Sequence, residues 1–110
     1  MADSIVVDRS PNRATITGTV VPEKDGVFII TVEAKAQGNG HGTPIIWANI
    51  FIDGRLDKAT GEIAWQDGMG GVALTTAEAL KGGKDYAITG VAGNRNAASV
   101  SIHMDIRRAG

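Results

Sequence analysis

The amino-acid sequence predicts an all-β chain, a single-domain antiparallel β-sandwich of about eight strands over residues 1–110. Three observations lead there. The 15 glycines fall between apolar runs rather than inside them, as turns do in all-β chains. Several runs alternate apolar and polar residues with a period of two, which sends successive side chains to opposite faces of a strand. A chain of 110 residues, 43% of them hydrophobic, suits one packed core rather than two.

The first strand-like run is 5–8, and residues 1–10 read as an N-terminal arm or an edge strand. Run 14–21 sets Thr15, Thr17 and Thr19 on one face, with Ile16 and Val20 on the other. Run 27–36 turns Phe28, Ile30, Val32 and Ala34 inward and Thr31, Glu33 and Lys35 outward. Both fit antiparallel sheets with one solvated face. Run 44–53 departs from this rule. Ile46, Ala48, Ile50 and Ile52 form one apolar face, and Ile45, Trp47 and Phe51 form a second, interrupted only by Asn49. Such a strand is either central and covered twice, or its outer face meets a ligand or another subunit.

Runs 62–65, 72–76 and 86–92 follow, and 77–80 reads as one helix-like turn before a loop at 81–85. The last run, 98–107, alternates most cleanly. Ala98, Val100, Ile102, Met104 and Ile106 share one face; Ser99, Ser101, His103, Asp105 and Arg107 share the other. Asp25-Gly26 and Asp53-Gly54 mark turns, because Asp and Gly both tolerate positive φ.

Composition narrows the function. A net charge of −1 argues against nucleic acid, since Arg107 and Arg108 alone make no basic footprint. No apolar run approaches the roughly 18–20 residues that span a bilayer. The chain has no cysteine and opens without a secretory pattern, which favours a cytoplasmic or virion-associated location.

No catalytic set is expected. The loop Gly38-Asn39-Gly40-His41-Gly42 is glycine-rich, but Pro44 and a β-rich run follow it, whereas a phosphate loop must open a helix. Asn39 and His41 remain candidates for ligand binding, because recognition concentrates in loops. Ser99, His103 and Asp105 share a strand face, but side chains two apart on a strand run parallel and do not converge as a triad must. His41 and His103 are the only histidines, so no metal or cofactor is expected. The turn carboxylates Asp53, Asp57, Asp67 and Asp85 leave a loop calcium site open without forming a calcium-loop motif. Trp47 and Trp65 stand out among five aromatic residues, as stacking platforms, interface anchors or core.

The order of elements from 26 to 106 then resembles a known group. A strand ends in the turn Ile52-Asp53-Gly54, and Leu80-Lys81-Gly82-Gly83-Lys84-Asp85-Tyr86 introduces a late strand before a final alternating one. This resembles jelly-roll binding modules: carbohydrate-binding modules, and the complement-type or tumour-necrosis-factor-like heads. The resemblance implies a jelly-roll-like sandwich and a non-catalytic binding role.

The expected function is therefore a lectin-like, glycan-binding module working through its end loops. Trp65 would stack on a sugar while Asn39, His41, Asp67 and Asn94 bond hydroxyls. The alternative is a structural subunit of a virion or other oligomeric particle. It would be a homo-oligomer with Ile45, Trp47 and Phe51 at the interface, and its N-terminal arm could swap onto a neighbour.

Overall fold

The computed structural model describes the backbone of residues 2–10, 13–38, 45–64, 69–95 and 97–109. Every regular element among them is a strand: β1 (Ala2–Ser10), β2 (Arg13–Val20), β3 (Gly26–Gly38), β4 (Ile45–Ile52), β5 (Arg55–Ala59), β6 (Ile63–Ala64), β7 (Met69–Leu80), β8 (Tyr86–Arg95) and β9 (Ala97–Arg108). They form two antiparallel sheets. One has the order β1-β9-β3-β7; the other has the order β2-β8-β4-β5, with β6 also paired to β4. The chain changes sheet at every step except from β4 through β5 to β6. That alternation is the jelly roll.

β5 and β6 act as one interrupted strand, so nine segments make eight strands of the roll. The interruption lies at Thr60-Gly61, where Gly61 takes φ 75°, a conformation only glycine adopts freely. Thr60 keeps the ladder closed across the break. Its amide donates to the Ala48 carbonyl at 2.9 Å, and its Oγ1 accepts from the Ala48 amide at 3.0 Å.

Two expectations need correcting. The stretch 77–80 is not a helical turn but the end of β7, paired with β3 in unbroken register from Gly26↔Leu80 to Gln37↔Met69. Ala-Glu-Ala-Leu favours a helix in isolation, and twelve consecutive cross-strand pairs override that preference. β5 was also not expected. Its residues Arg-Leu-Asp-Lys-Ala are all exposed, so no buried face imposes a period of two.

The interior follows the alternation. Ile16, Ile46, Ile50 and Ile88 from the five-stranded sheet meet Phe28, Ile30, Val32, Val100, Ile102 and Met104 from the other in one buried cluster. Gly90 sits in the middle of this layer, where an added Cβ would press on Val32 Cγ2 at 2.9 Å and Ile16 Cγ2 at 3.2 Å. Asp53 (φ 50°) and Gly54 (φ 80°) make the tight turn read from the sequence. Residues 2–10 form an edge strand on β9 of the same chain.

Candidate functional site

β4 is a central strand, flanked by β8 on one side and by β5 and β6 on the other. Ile46, Ala48 and Ile50 are fully buried on its inner face. Ile45, Trp47, Asn49 and Phe51 on its outer face are each half-buried within a single chain. The surplus apolar face is thus partly covered from inside the molecule.

Trp47 and Gly93 account for much of that cover. They are direct cross-strand partners, and the indole lies across Gly93 so closely that an added Cβ there would fall inside the ring atoms Cζ2 and Cε2. Gly93 is buried although it lies on the outer face, and the indole above it is the reason. A glycine at this point lets a large flat ring settle on the sheet instead of standing off it. Trp47 itself stays half-buried.

The rest of this face is neutral and rich in short hydrogen-bonding groups. Cross-strand register sets Thr15, Val91 and Asn49 in one row, and Thr17, Thr89 and Phe51 in the next. Thr17 and Thr89 share a hydroxyl–hydroxyl hydrogen bond of 3.1 Å. Two residues along a strand span roughly 6.6 Å, so Trp47 and Phe51 stand about 13 Å apart at their Cα atoms, with Asn49 between them. Among the described residues, charge lies at the rims of this face: near Trp47, Arg13 lies in the Gly93 row and Arg95 is ion-paired with Glu62 at 2.5 Å, and beyond Phe51 stands Asp53, bonded to Ala87.

Trp47 lies close to one end of the sandwich. β3 ends there at Gly38, β4 begins at Ile45, β6 ends at Ala64, β7 begins at Met69 and β8 ends at Arg95. The register ties these termini together through Ile45↔Ala64, Ile45↔Arg95 and Gln37↔Met69. Asn39, His41, Trp65 and Asp67, the loop residues singled out from the sequence, belong to connections between these strand ends and lie outside the described residues. Asn94 is described. It faces the interior opposite Ile46, is 7% exposed and is engaged within the protein. Its amide therefore points between the sheets, away from the face that carries Trp47.

The opposite end is closed by its own contacts. Asp53 exchanges hydrogen bonds with Ala87, amide to carbonyl at 2.8 Å and Ala87 amide to Asp53 Oδ1 at 2.9 Å. Asp25 Oδ1 accepts from the Gly82 amide at 2.8 Å. The Arg108 guanidinium stacks 4.8 Å from the Phe28 ring centre and donates to the Lys24 carbonyl at 2.9 Å. Asp25 and Asp53 thus serve the turns they sit in. Among the described residues, no group of three His, Cys, Asp or Glu side chains is arranged to hold a metal ion. Nor is any helix there long and apolar enough to cross a membrane.

Sequence reasoning saw Trp47 and Phe51 on one face but missed Gly93. The available signal was a glycine at an outward position of an otherwise regular strand, Tyr86–Arg95, which calls for a close neighbour.

The chain is a jelly-roll sandwich of the kind found in carbohydrate-binding modules, and solved structures carry the same fold. A family 35 carbohydrate-binding module from an environmental isolate superposes with a TM-score of 0.50 at 15% identity, over 90% of this chain and 67% of that one. A β-glucosidase from Kluyveromyces marxianus in complex with glucose gives 0.55 at 18% identity, over 89% of this chain. Dimeric latent PorU from Porphyromonas gingivalis gives 0.56 at 10% identity, over 88% of this chain. The chain spans only 10% of the length of each of these two larger proteins. No family model and no curated protein sequence matches the chain. At these identities the fold alone is shared.

Proposed function

We propose that this chain is a non-catalytic glycan-binding module whose platform is the outer face of the five-stranded sheet, centred on Trp47 and continuing into the loops at the adjacent end. The observation that carries this reading is the indole laid across Gly93 beside Asn49 and a bank of threonines. A sugar ring offers an apolar C–H face and a rim of hydroxyls. A half-exposed aromatic plane and neutral donor–acceptor groups answer both, without charges that would demand an ionic ligand. The fold supports the same reading, since a family 35 carbohydrate-binding module superposes on 90% of this chain. Trp65, Asp67, Asn39 and His41 would extend the platform from the loops, Trp65 as a second stacking surface.

The test is binding to a panel of soluble polysaccharides and oligosaccharides by affinity electrophoresis and calorimetry. A stacked aromatic anchor contributes about 2 kcal/mol or more, so Trp47→Ala should weaken binding roughly 30-fold. Trp65→Ala reports separately on the loop end. Absence of binding to every glycan class overturns the reading.

One observation favours a second reading. Phe51 pairs with Leu56 on the same outer face, and Leu56 is 59% exposed. A self-associating chain would bury that pair together with Ile45 and Trp47. Light scattering that shows a dimer or larger assembly, dispersed by Leu56→Glu, supports this alternative.

A further inference from the structure

β5 and β7 are edge strands, one from each sheet, and they meet along one side of the sandwich. The inner face of β7 runs Val72, Leu74, Thr76, Glu78, Leu80. Two polar residues, one of them ionisable, therefore occupy positions that the alternation assigns to the core. Opposite them, β5 carries an irregularity: its register with β4 shifts between Ile50 and Phe51, leaving Asp57 as the extra residue of a bulge. A bulge re-aims a side chain that regular pleating would send elsewhere. Here it brings the Asp57 carboxylate across the seam, where Oδ2 accepts from Thr76 Oγ1 at 2.9 Å. Lys58 reaches the same strand and donates to the Thr75 carbonyl at 2.9 Å.

We propose that Asp57 and Glu78 form a proton-operated clasp between the two sheet edges, closed while Glu78 is protonated and loosened when it ionises. Asp57 and Glu78 line one groove at this seam. With the proton in place, the Glu78 carboxyl donates to the Asp57 carboxylate; without it, two like charges face each other beside the Thr76–Asp57 hydrogen bond. The hydrogen bond to Asp57, partial burial and the charge of Asp57 together hold the Glu78 carboxyl above its ordinary value of 4.5, while Thr76 pulls the other way. The other charged groups around the seam are Lys58, bonded to Thr75, and Asp53, Arg55 and Lys84, which line the groove beside it. That groove is also lined by the apolar groups of Ile52, Leu80 and Tyr86, which loosening would expose further.

A carboxyl whose folded pKa is raised stabilises the closed form below its unfolded pKa, and that contribution fades as pH rises through the folded pKa.

The experiment is an NMR titration of the side-chain carboxyl carbons, joined to amide hydrogen exchange of residues 55–59, between about pH 4 and pH 7. In the wild type, Glu78 should titrate above an ordinary glutamate. Exchange of the β5 amides, corrected for intrinsic rates, should quicken several-fold as it does. Glu78→Gln keeps a donor with no charge and should hold β5 protection flat with pH. Asp57→Asn should return Glu78 to the ordinary range. An ordinary titration of Glu78 in the wild type, or β5 exchange with the same pH profile in wild type and Glu78→Gln, overturns the proposal. Glycan affinity is not a readout, so its outcome leaves the binding reading untouched.

Discussion

On the four-stranded sheet the solvent side holds Glu33, Lys35, His103 and Asp105; matching positions of the five-stranded sheet hold Thr15, Thr17, Asn49, Trp47, Phe51 and Val91. Both sheets pack the same kind of aliphatic layer against the core, and both obey the same period of two. Only the outward positions differ. A face of mixed charges is what solubility asks of any surface. A neutral face with a tryptophan bedded on a glycine is not explained by solubility, and the proposed platform rests on that difference.

Substitutions that break or sharpen the contrast can be ranked by expected effect. The inner layer should be costliest. Ile50→Ala, at a fully buried position, should lower stability by about 2–5 kcal/mol in chemical denaturation. Gly90→Val should follow, because its side chain has no room against Val32 and Ile16; overpacking of this kind costs roughly 1–3 kcal/mol. Gly93→Ala acts on the outer face alone. Its methyl must lift the Trp47 indole, so the tryptophan emission should shift and glycan affinity should fall, while the melting temperature changes less than for Gly90→Val. Tyr86→Phe removes the hydroxyl that accepts from the Lys81 amide at 2.9 Å, and should cost about 0.5–1.5 kcal/mol with binding unaltered. Glu33→Gln on the charged face should be smallest, within about 0.5 kcal/mol, and silent in binding. If Glu33→Gln and Gly93→Ala disturbed binding equally, the contrast between the two faces would collapse.

The sandwich was legible where one face is dry and the other wet. β2, β3 and β9 announce themselves through Ile16, Phe28–Ala34 and Val100–Ile106, because burial on one side imposes alternation. It was illegible where that constraint lapses. β5 is exposed throughout and carries no period. The end of β7 places Glu78 at an inward position, so residues 77–80 look like helix until the pairing with β3 is known. Strand order also lay beyond sequence reasoning, since it depends on pairings between residues far apart in the chain. The doubly apolar β4 was visible, but its partial cover comes from a partner 46 positions away, Gly93 beneath Trp47. Of the site residues expected from the loops, Asn94 turned out to point inward.

The most direct measurement is a two-dimensional NMR titration of the labelled protein with an oligosaccharide ligand, following the Trp47 indole N–H and the amides of both outer faces. Shifts should concentrate at Trp47, Asn49, Thr15, Thr17 and Thr89, with Glu33, Lys35 and His103 unmoved. Perturbations centred on the charged face, or a Trp47 signal that stays still while ligand binds, would contradict the account.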